Sequence, residues 1–271
     1  MSFSRFQIRQ LKQYDAIGRA LAVAAGLHGI YVVNALDEGL HDGFVFSLDD
    51  QQCGLAWFGP RGNLVLIAND RSHGLEQQIV QQIQMCRWAW RIALGPAAIV
   101  DLLAQSLHCT PLAHRNQIYY AGSSDDANQS LLRKDMRRPI SKDRERLARA
   151  TLALNASDLN IAPNRVDQKW LYRMVDERIK DGSTRVLGPL GNLWCKLDYG
   201  THGKGGTVIE GVFTFPDYRG NGLGGALVAT CMAEESSQVS LHVAEHNKSA
   251  RNAYERAGMK EAGQCRLLLL D

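Results

Sequence analysis

Residues 208–225 read Val-Ile-Glu-Gly-Val-Phe-Thr-Phe-Pro-Asp-Tyr-Arg-Gly-Asn-Gly-Leu-Gly-Gly. The apolar first half is typical of a strand, the proline marks a turn, and the glycine-rich end opens an apolar run that predicts a helix. A loop in this position presents unpaired backbone N–H groups at the positive end of the helix dipole. We therefore predict that it binds the phosphate groups of a cofactor, with Gly220, Gly222 and Gly224 able to adopt positive φ.

Two other kinds of phosphate-binding loop fit this segment less well. A P-loop is excluded because the chain holds no Gly-x-x-x-x-Gly-Lys-Ser/Thr run. The dinucleotide fingerprint Gly-x-Gly-x-x-Gly matches at Gly220, Gly222 and Gly225, and Glu245 follows about 20 residues later. Its context fits poorly, because residues 216–219 separate the strand from the first glycine and few residues remain for further βα units. An NAD-dependent oxidoreductase is kept as an alternative.

A second motif follows the loop at a regular distance. The loop itself is Arg219-Gly-Asn-Gly-Leu-Gly224, and after an alternating run at 239–243 comes Asn247-Lys-Ser-Ala-Arg-Asn-Ala-Tyr-Glu-Arg-Ala-Gly-Met259. Together they resemble the acyl-CoA pyrophosphate loop, Arg/Gln-x-x-Gly-x-Gly/Ala, and the Asn-x-x-Ala-x-x-x-Tyr-x-x-x-Gly-Phe segment of the GNAT N-acetyltransferase superfamily. Met259 replaces the usual Phe, a volume-conserving exchange. The resemblance covers residues 206–262.

The resemblance implies acetyl-CoA (CoA) as co-substrate, no metal, and direct transfer of an acetyl group to a primary amine in a ternary complex. In this family the strand before the loop is bulged, pairs with the pantetheine arm through its backbone, and offers an N–H to the thioester carbonyl. For Arg219, contact with phosphate and packing across the loop both stay open. The implied cofactor-binding residues are Phe213, Thr214, Phe215, Arg219, Gly220, Asn221, Gly222, Leu223, Gly224, Gly225, Asn247 and Tyr254.

Two residues are predicted to carry the chemistry. Tyr254 falls where the family has a general acid, which protonates the departing thiolate of CoA, although a purely structural place in the core is the alternative. Glu210, a carboxylate inside an apolar strand, is the candidate general base for the ammonium acceptor; an outward-facing residue paired with Lys or Arg is the alternative. His202 and Asp198 are weaker candidates for the base. Asn247 is either a contact of the cofactor arm or a helix N-cap.

One further motif is discounted. His242-Val-Ala-Glu-His246 matches the His-x-x-Glu-His zinc-peptidase pattern, which requires a helix. Here it lies on and just after a predicted strand, where residues four apart are separated by about 13 Å. That distance is too long for one zinc ion with ligands at about 2 Å. We therefore expect no metal site.

Composition is that of an ordinary globular protein. The 271 residues are 45% hydrophobic and 22% charged, with a net charge of +3 and six cysteines without a Cys-x-x-Cys pair. We expect reduced thiols and a cytoplasmic protein. The small charge, a basic run at 133–149 without interleaved aromatic residues, and the lack of a long apolar segment argue against nucleic acid and membrane as partners. The expected partner is a small-molecule or peptide amine acceptor. A homodimer and a non-catalytic acyl-CoA sensor stay open.

The fold class expected is α/β (α+β) in two domains. Residues 1–121 predict a mixed α/β domain without a cofactor motif, 122–138 a linker, and 139–271 a GNAT domain with a mixed central sheet flanked by helices. Whether the first domain is a degenerate GNAT-like copy stays open. In it we expect helices at 3–26, 74–93 and 96–107, and strands at 29–35, 44–47, 52–58, 63–68 and 117–121. In the second we expect helices at 147–154 and 167–180, strands at 184–187, 192–197 and 207–215, and a hairpin loop at 199–206.

Overall fold

The computed structural model describes residues 6–69 and 74–271. These residues form two compact units. The first unit takes in the described chain up to Gln117, together with Gly203–Gly205 and Gln264–Asp271. The second unit is Ile118–His202 and Gly206–Gly263. This division differs from the expected boundaries, because 122–138, the expected linker, lies within the second unit and the C-terminal end of the chain belongs to the first.

The first unit is built from helices and strands in alternation. Its elements are β1 (Phe6–Gln10), α1 (Ala16–Ala24), α2 (Ile30–Asp37), β2 (Gly43–Leu48), β3 (Gln51–Phe58), β4 (Asn63–Ala68), α3 (Leu75–Met85), β5 (Ile92–Gly95), α4 (Ala97–Gln105) and the start of β6 (Ala113–Gly122). Strand order runs β1-β2-β3-β4-β5. The first four strands pair antiparallel, whereas β4 and β5 run parallel.

The second unit contains the predicted motifs. Its elements are α5 (Arg144–Asp158), α6 (Gln168–Asp181), β7 (Thr184–Leu187), β8 (Cys195–Gly203), β9 (Gly206–Thr214), α7 (Leu223–Glu234), β10 (Val239–Ala244), α8 (Lys248–Ala257) and the start of β11 (Lys260–Leu269). Strand order is β6-β10-β9-β8-β7. β7 and β8 pair antiparallel and β9 and β10 pair parallel, so the sheet is mixed as expected. The end of β11 pairs antiparallel with β5 in the first unit.

Both units follow one order of elements. After a first strand, each has two helices, three strands, a helix, a strand and another helix. In each, the third of the three strands pairs in parallel with the next strand through three residue pairs, which end at Val65–Leu94 in the first unit and at Ile209–Leu241 in the second. The first unit therefore repeats the architecture of the second.

Two predictions for the N-terminal region were wrong. Phe6–Gln10 is a strand paired with β2 and not the start of a helix; residues 1–5 lie outside the described part of the chain. The helix begins only after Asp15, whose side chain caps it by accepting from the Gly18 N–H. Residues 30–37 form a helix instead of a strand, because a short apolar run buried on most sides has no periodicity that separates the two.

Other predictions were close. The strands expected at 44–47, 52–58 and 63–68 are confirmed as β2, β3 and β4. The helix expected at 74–93 ends at Met85 and the strand β5 was missed. The loop expected at 199–206 shrinks to a turn at Lys204 and Gly205, because β8 continues to Gly203.

The cores explain the strand patterns. In the first unit, alternate residues of β2–β4 pack on opposite faces. Phe46 and Leu66 pack with α3 and α4, whereas Val45 and Ile67 pack with α1 and α2. In the second unit, β8–β10 pack against α7 and α8, and a further cluster joins α5 and α6 to the end of β9. Helices therefore cover both sides of the central strands in each unit.

Candidate active site

The strand before the glycine loop is irregular where the site was predicted. The parallel register between β9 and β10 covers three residue pairs and ends at Ile209–Leu241, although β9 continues to Thr214 and β10 to Ala244. Gly211, inside β9, has a φ of +59°. A left-handed residue within a strand breaks the pleat and bends the backbone. A bulge at Gly211, as the family resemblance implies, would account for both observations.

The glycine loop leaves space around its backbone. Gly220 and Gly222 have φ values of +81° and +70°, and a β-carbon on either would meet no described atom within 4 Å. Gly222 is the N-cap of α7, and among the described residues no side chain caps the helix and no acidic residue stands in its first turn. The positive end of the α7 dipole is therefore available to an anion.

The polar side chains of the loop turn back onto it. The Arg219 Nε donates to the carbonyl oxygen of Thr214 at 3.1 Å, and its guanidinium lies 5.8 Å from the centre of the Phe213 ring. The Asn221 side-chain amide donates to the carbonyl oxygens of Tyr218 and Arg219. The Arg219 side chain therefore packs across the loop, and its contact with phosphate stays a prediction.

The last two glycines of the loop differ from the first two. A β-carbon on Gly225 would lie 2.9 Å from the carbonyl oxygen of Ala253 in α8, so this glycine permits the close approach of α7 and α8. A β-carbon on Gly224 would lie 3.4 Å from the Thr214 hydroxyl. Leu223 is buried. Gly225 thus has a packing role that explains its presence without any cofactor.

The side chains at the end of β9 point into the protein. Phe213 and Phe215 are buried with ring centres 5.1 Å apart, and the Arg146 guanidinium lies 3.6 Å above the Phe215 ring. The Thr214 hydroxyl donates to the Cys195 sulfur at 3.3 Å. Contacts from these three residues to a cofactor would therefore involve the backbone, as the resemblance implies.

Tyr254 is a core residue with a protonated phenol. It is 8% exposed and its ring lies 6.1 Å from that of Tyr120, edge to face. Burial raises the pKa of the Tyr254 phenol well above its usual value, with smaller contributions from Asp158 and Cys195. The phenol therefore carries its proton at neutral pH. The core interpretation and a role as proton donor are compatible.

Asn247 has the capping role that the sequence left open. Its side-chain oxygen accepts from the Ala250 N–H at 3.1 Å and so caps α8. The contact with the cofactor arm remains a prediction. His202, a weaker candidate for the base, pairs with Glu235 at 3.0 Å and stacks on Tyr199, so it is not gathered with Glu210.

Glu210 belongs to a chain of four charged side chains that we call the charge chain: Lys196, Asp198, Arg178 and Glu210. The Arg178 Nη2 donates to Glu210 Oε1 at 2.8 Å, and Nη1 lies 3.0 Å from Asp198 Oδ2. Lys196 pairs with the same oxygen of Asp198, and the Thr184 hydroxyl donates to the other at 2.7 Å. The structure therefore brings together Glu210, the main candidate for the general base, and Asp198, a weaker candidate.

Burial and charge act against each other in the charge chain. Burial alone would raise the pKa of Asp198, but Lys196 and Arg178 outweigh it and hold that pKa below its usual range. Burial would likewise lower the pKa of Arg178, and Asp198 and Glu210 together raise it instead. Both groups are therefore ionised at neutral pH, and the two cations balance the two carboxylates.

Sequence reasoning missed Arg178 and Lys196. The signal for Lys196 was present, since Cys195-Lys-Leu-Asp198 places two charges on one face of an otherwise apolar strand. The sequence gave no signal for Arg178, because a basic residue in the last turn of a helix usually faces solvent.

The corresponding place in the first unit is built differently. Leu66 follows the last parallel pair of β4 as Glu210 follows that of β9. The His28 Nε2 donates to the carbonyl oxygen of Leu66 at 2.6 Å. A β-carbon on Gly95 would lie 2.7 Å from Cβ of Leu66, so β4 and β5 stay close beyond their last pair. At the position of Glu210 the first unit therefore has an apolar side chain, Leu66, and the carbonyl oxygen of that residue already accepts a hydrogen bond.

The described residues contain neither a metal centre nor a helix that could span a membrane. No group of His, Cys, Asp or Glu side chains in 6–69 and 74–271 is arranged to hold a metal ion. None of the described helices is both long enough and apolar enough to cross a membrane.

The site lies within a recognised family domain. Residues 166–259 match the model of the acetyltransferase (GNAT) family. This matched segment contains the irregular strand, the glycine loop and Tyr254. No curated protein matches the chain.

Solved structures extend the likeness of fold to almost the whole chain. A GCN5-related N-acetyltransferase from Sphaerobacter thermophilus has 18% identity and a TM-score of 0.59, over 97% of this chain and 94% of that one. A GNAT-family acetyltransferase from Colwellia psychrerythraea has 14% identity and a TM-score of 0.55, over 98% and 100%. A tandem GNAT protein from the clavulanic acid biosynthesis pathway has 12% identity and a TM-score of 0.51, over 97% and 98%. The fold is thus GNAT-like over nearly the full length.

Proposed function

We propose that this chain is an N-acetyltransferase that moves an acetyl group from acetyl-CoA to a primary amine on a small molecule or peptide. The observation that carries the proposal is the open backbone at Gly220 and Gly222, at the N-terminus of α7 and within the segment that matches the GNAT family. The scattered cysteines are the reason for placing the enzyme in the cytoplasm.

The loop suits a pyrophosphate group. Backbone N–H groups at the start of α7 can donate to the oxygens of a pyrophosphate. No carboxylate in the first turn of the helix would repel that negative charge. At the end of β9 the backbone is irregular at Gly211, and the side chains of residues 213–215 are turned into the protein, which suits strand-like pairing with an extended arm. Acetyl-CoA would supply an activated acetyl group as a thioester.

The reaction requires two proton movements. The amine nitrogen forms a bond to the thioester carbonyl carbon as the carbon–sulfur bond breaks. We assign to Glu210 the removal of the proton from the ammonium acceptor, directly or through water. We assign to Tyr254 the donation of a proton to the departing thiolate, since burial keeps its phenol protonated.

Calorimetry with acetyl-CoA tests the site. We expect the protein to bind acetyl-CoA with micromolar affinity or better, and Gly222→Asp to lose binding because its carboxylate would repel the phosphates. Gly26→Asp is the matched control, since Gly26 also has a positive φ (+60°) and an open surrounding but lies in the first unit. Gly222→Asn should bind more tightly than Gly222→Asp, because Asn tolerates this backbone conformation without the charge. Equal affinity in Gly222→Asp and Gly26→Asp would remove the loop from the cofactor site.

A screen of amines tests the activity. Free thiol released from acetyl-CoA is measured for each amine in turn, with the protein omitted as the blank. Acetyl-CoA binding without thiol release for any amine would favour the sensor module, and binding of NAD without acetyl-CoA would favour the oxidoreductase.

A further inference from the structure

The charge chain runs from the interior of the second unit to its surface. Exposed fractions of the side chains rise from 2% for Lys196 through 8% for Asp198 and 14% for Arg178 to 37% for Glu210. Glu210 is the most exposed of the four. A molecule that approaches the charge chain from solvent therefore contacts the Glu210 carboxylate first.

Arg178 connects that carboxylate to the interior. Its two terminal nitrogens approach carboxylates on two different strands, Asp198 on β8 and Glu210 on β9. Asp198 is itself held by Lys196 and by the Thr184 hydroxyl. Nη1 forms an ion pair with Asp198 without a hydrogen bond, whereas Nη2 donates to Glu210. Because a guanidinium is planar and rigid, its placement beside Asp198 fixes the direction from which Nη2 meets Glu210.

The backbone beside Glu210 makes such support necessary. Gly211 has left-handed φ, so the regular pleat that normally orients a strand residue ends at Glu210. A glutamate at this place also has three rotatable side-chain bonds and loses conformational freedom when it is fixed. The contact with Arg178 supplies the orientation that the strand does not.

We propose that Arg178 is a positioning residue that acts through Glu210, holding its carboxylate in the direction from which it takes the proton of the amine acceptor. This rests on the proposed function, with Glu210 as the general base. Arg178 does not touch the reacting atoms itself. Ground-state binding of acetyl-CoA involves the glycine loop and the end of β9, and is independent of Arg178.

The experiment is a double-mutant cycle on turnover. It uses the full chain, acetyl-CoA and the amine with the highest rate in the screen. We expect Arg178→Gln to lower kcat about 10- to 100-fold, as misplacement of a catalytic group does, with acetyl-CoA affinity within about twofold of wild type. The double variant Arg178→Gln/Glu210→Gln should have the kcat of Glu210→Gln alone, because Arg178 has nothing left to orient.

Arg144→Gln is the matched control. Arg144 also joins a carboxylate with two nitrogens, at 2.6 and 2.8 Å from Asp176, but this pair lies on the exposed faces of α5 and α6. Its kcat should stay within about twofold of wild type, since exposed ion pairs contribute little. Arg178→Lys should fall between wild type and Arg178→Gln, because an ammonium retains the charge but not the fork.

Each result has one meaning. A loss from Arg178→Gln that persists in full on the Glu210→Gln background, or a kcat equal to wild type, would overturn the proposal. If Arg178→Gln does not fold, the same cycle is run with Arg178→Lys and judged by the same rule. Failure of the proposed function would look different, because wild type itself would then neither bind acetyl-CoA nor release thiol.

Discussion

The Asp198 carboxylate lies where a side chain at position 211 would begin: a β-carbon on Gly211 would be 2.7 Å from Asp198 Oδ2. The same β-carbon would be 3.1 Å from the Lys196 Nζ. Both atoms belong to the buried part of the charge chain, which has little room to move. Glycine is thus required at position 211 for two reasons: the positive φ of this residue and the close approach of Asp198.

Gly211→Ala should therefore cost more than an ordinary glycine substitution. We expect it to lower the free energy of unfolding by about 2–4 kcal/mol, from backbone strain together with displacement of a buried ion pair. Gly26→Ala, with a matching φ of +60° and no described atom within 4 Å of the added carbon, should cost about 1 kcal/mol from strain alone. Urea denaturation of the two variants and wild type measures both. Equal losses would show that Asp198 moves aside freely.

Tyr254→Phe should separate catalysis from binding. We expect kcat to fall about 10- to 1,000-fold, as for removal of a general acid or its hydrogen bond, while acetyl-CoA affinity changes little. Because burial raises the pKa of this phenol, its proton is present throughout the neutral range, and the loss should not depend on pH there. Single-turnover kinetics and calorimetry give the two quantities.

Tyr120→Phe serves as the control for Tyr254. Its ring contacts that of Tyr254, but its hydroxyl donates to Glu255 and accepts from Arg251. We expect some loss of stability and little loss of kcat. If both variants retain wild-type turnover, Tyr254 is a core residue only.

Glu210→Gln should change how the rate depends on pH. Without a base, only amine that has already lost its proton in solution can react, so the rate should continue to rise at alkaline pH where wild type has levelled off. Glu235→Gln removes a carboxylate from the same unit that pairs with His202 and Thr207 instead, and should leave the profile unchanged. A Glu210→Gln profile that coincides with wild type would remove Glu210 from the mechanism.

How far the sequence could predict this site depended on the kind of interaction. The loop at 219–224 could be predicted because closely spaced glycines before a helix indicate a backbone loop that can bind an anion. The charge chain was not, because Arg178 comes from α6, 32 residues before Glu210. Contacts between such distant residues follow from tertiary packing, which spacing alone does not encode.

The fold shows the same limit. β2, β3 and β4 were found because short apolar runs bounded by turn residues leave a local pattern. The helix α2 was mistaken for a strand since Val32, Val33, Ala35 and Leu36 are all buried, and the run then looks equally apolar in either conformation. The strand β1 was missed because its partner β2 lies more than 30 residues away and its own five residues are largely polar or half-exposed.

Asp15 should make the stability of the protein depend on pH. It caps α1 by accepting from Gly18 and pairs with Arg9 at 2.6 Å. The hydrogen bond from Arg9 is the largest cause that lowers the pKa of Asp15 in the folded protein, and the Gly18 and Lys12 N–H groups add to it against the opposing effect of burial. Since the folded pKa is depressed, the stabilisation is present above the unfolded pKa of about 3.9 and is lost as pH falls through the folded pKa.

Asp15→Asn isolates that charge, because Asn also caps helices well. We expect a loss of about 1–2 kcal/mol in unfolding free energy at pH 7, and a smaller difference from wild type at pH 3. Asp37→Asn is the control: Asp37 pairs with Arg19 at 2.6 Å on the surface and should cost less than about 1 kcal/mol. Urea denaturation at both pH values would contradict the assignment if the Asp15→Asn deficit grew at low pH.

The first unit should bind no acetyl-CoA, so the full chain should bind one molecule. Where the second unit has an irregular strand and Glu210, the first has Leu66, whose carbonyl oxygen already accepts from His28 and whose β-carbon lies against Gly95. A cofactor arm would have to displace that histidine and part β4 from β5. Calorimetry should give a stoichiometry of one for wild type and no binding for Gly222→Asp, and His28→Ala should leave the stoichiometry at one. Hydrogen exchange with saturating acetyl-CoA should slow amides in 213–225 and leave those in 63–68 unchanged; two molecules bound per chain, or protection at 63–68, would show that the first unit has kept a site.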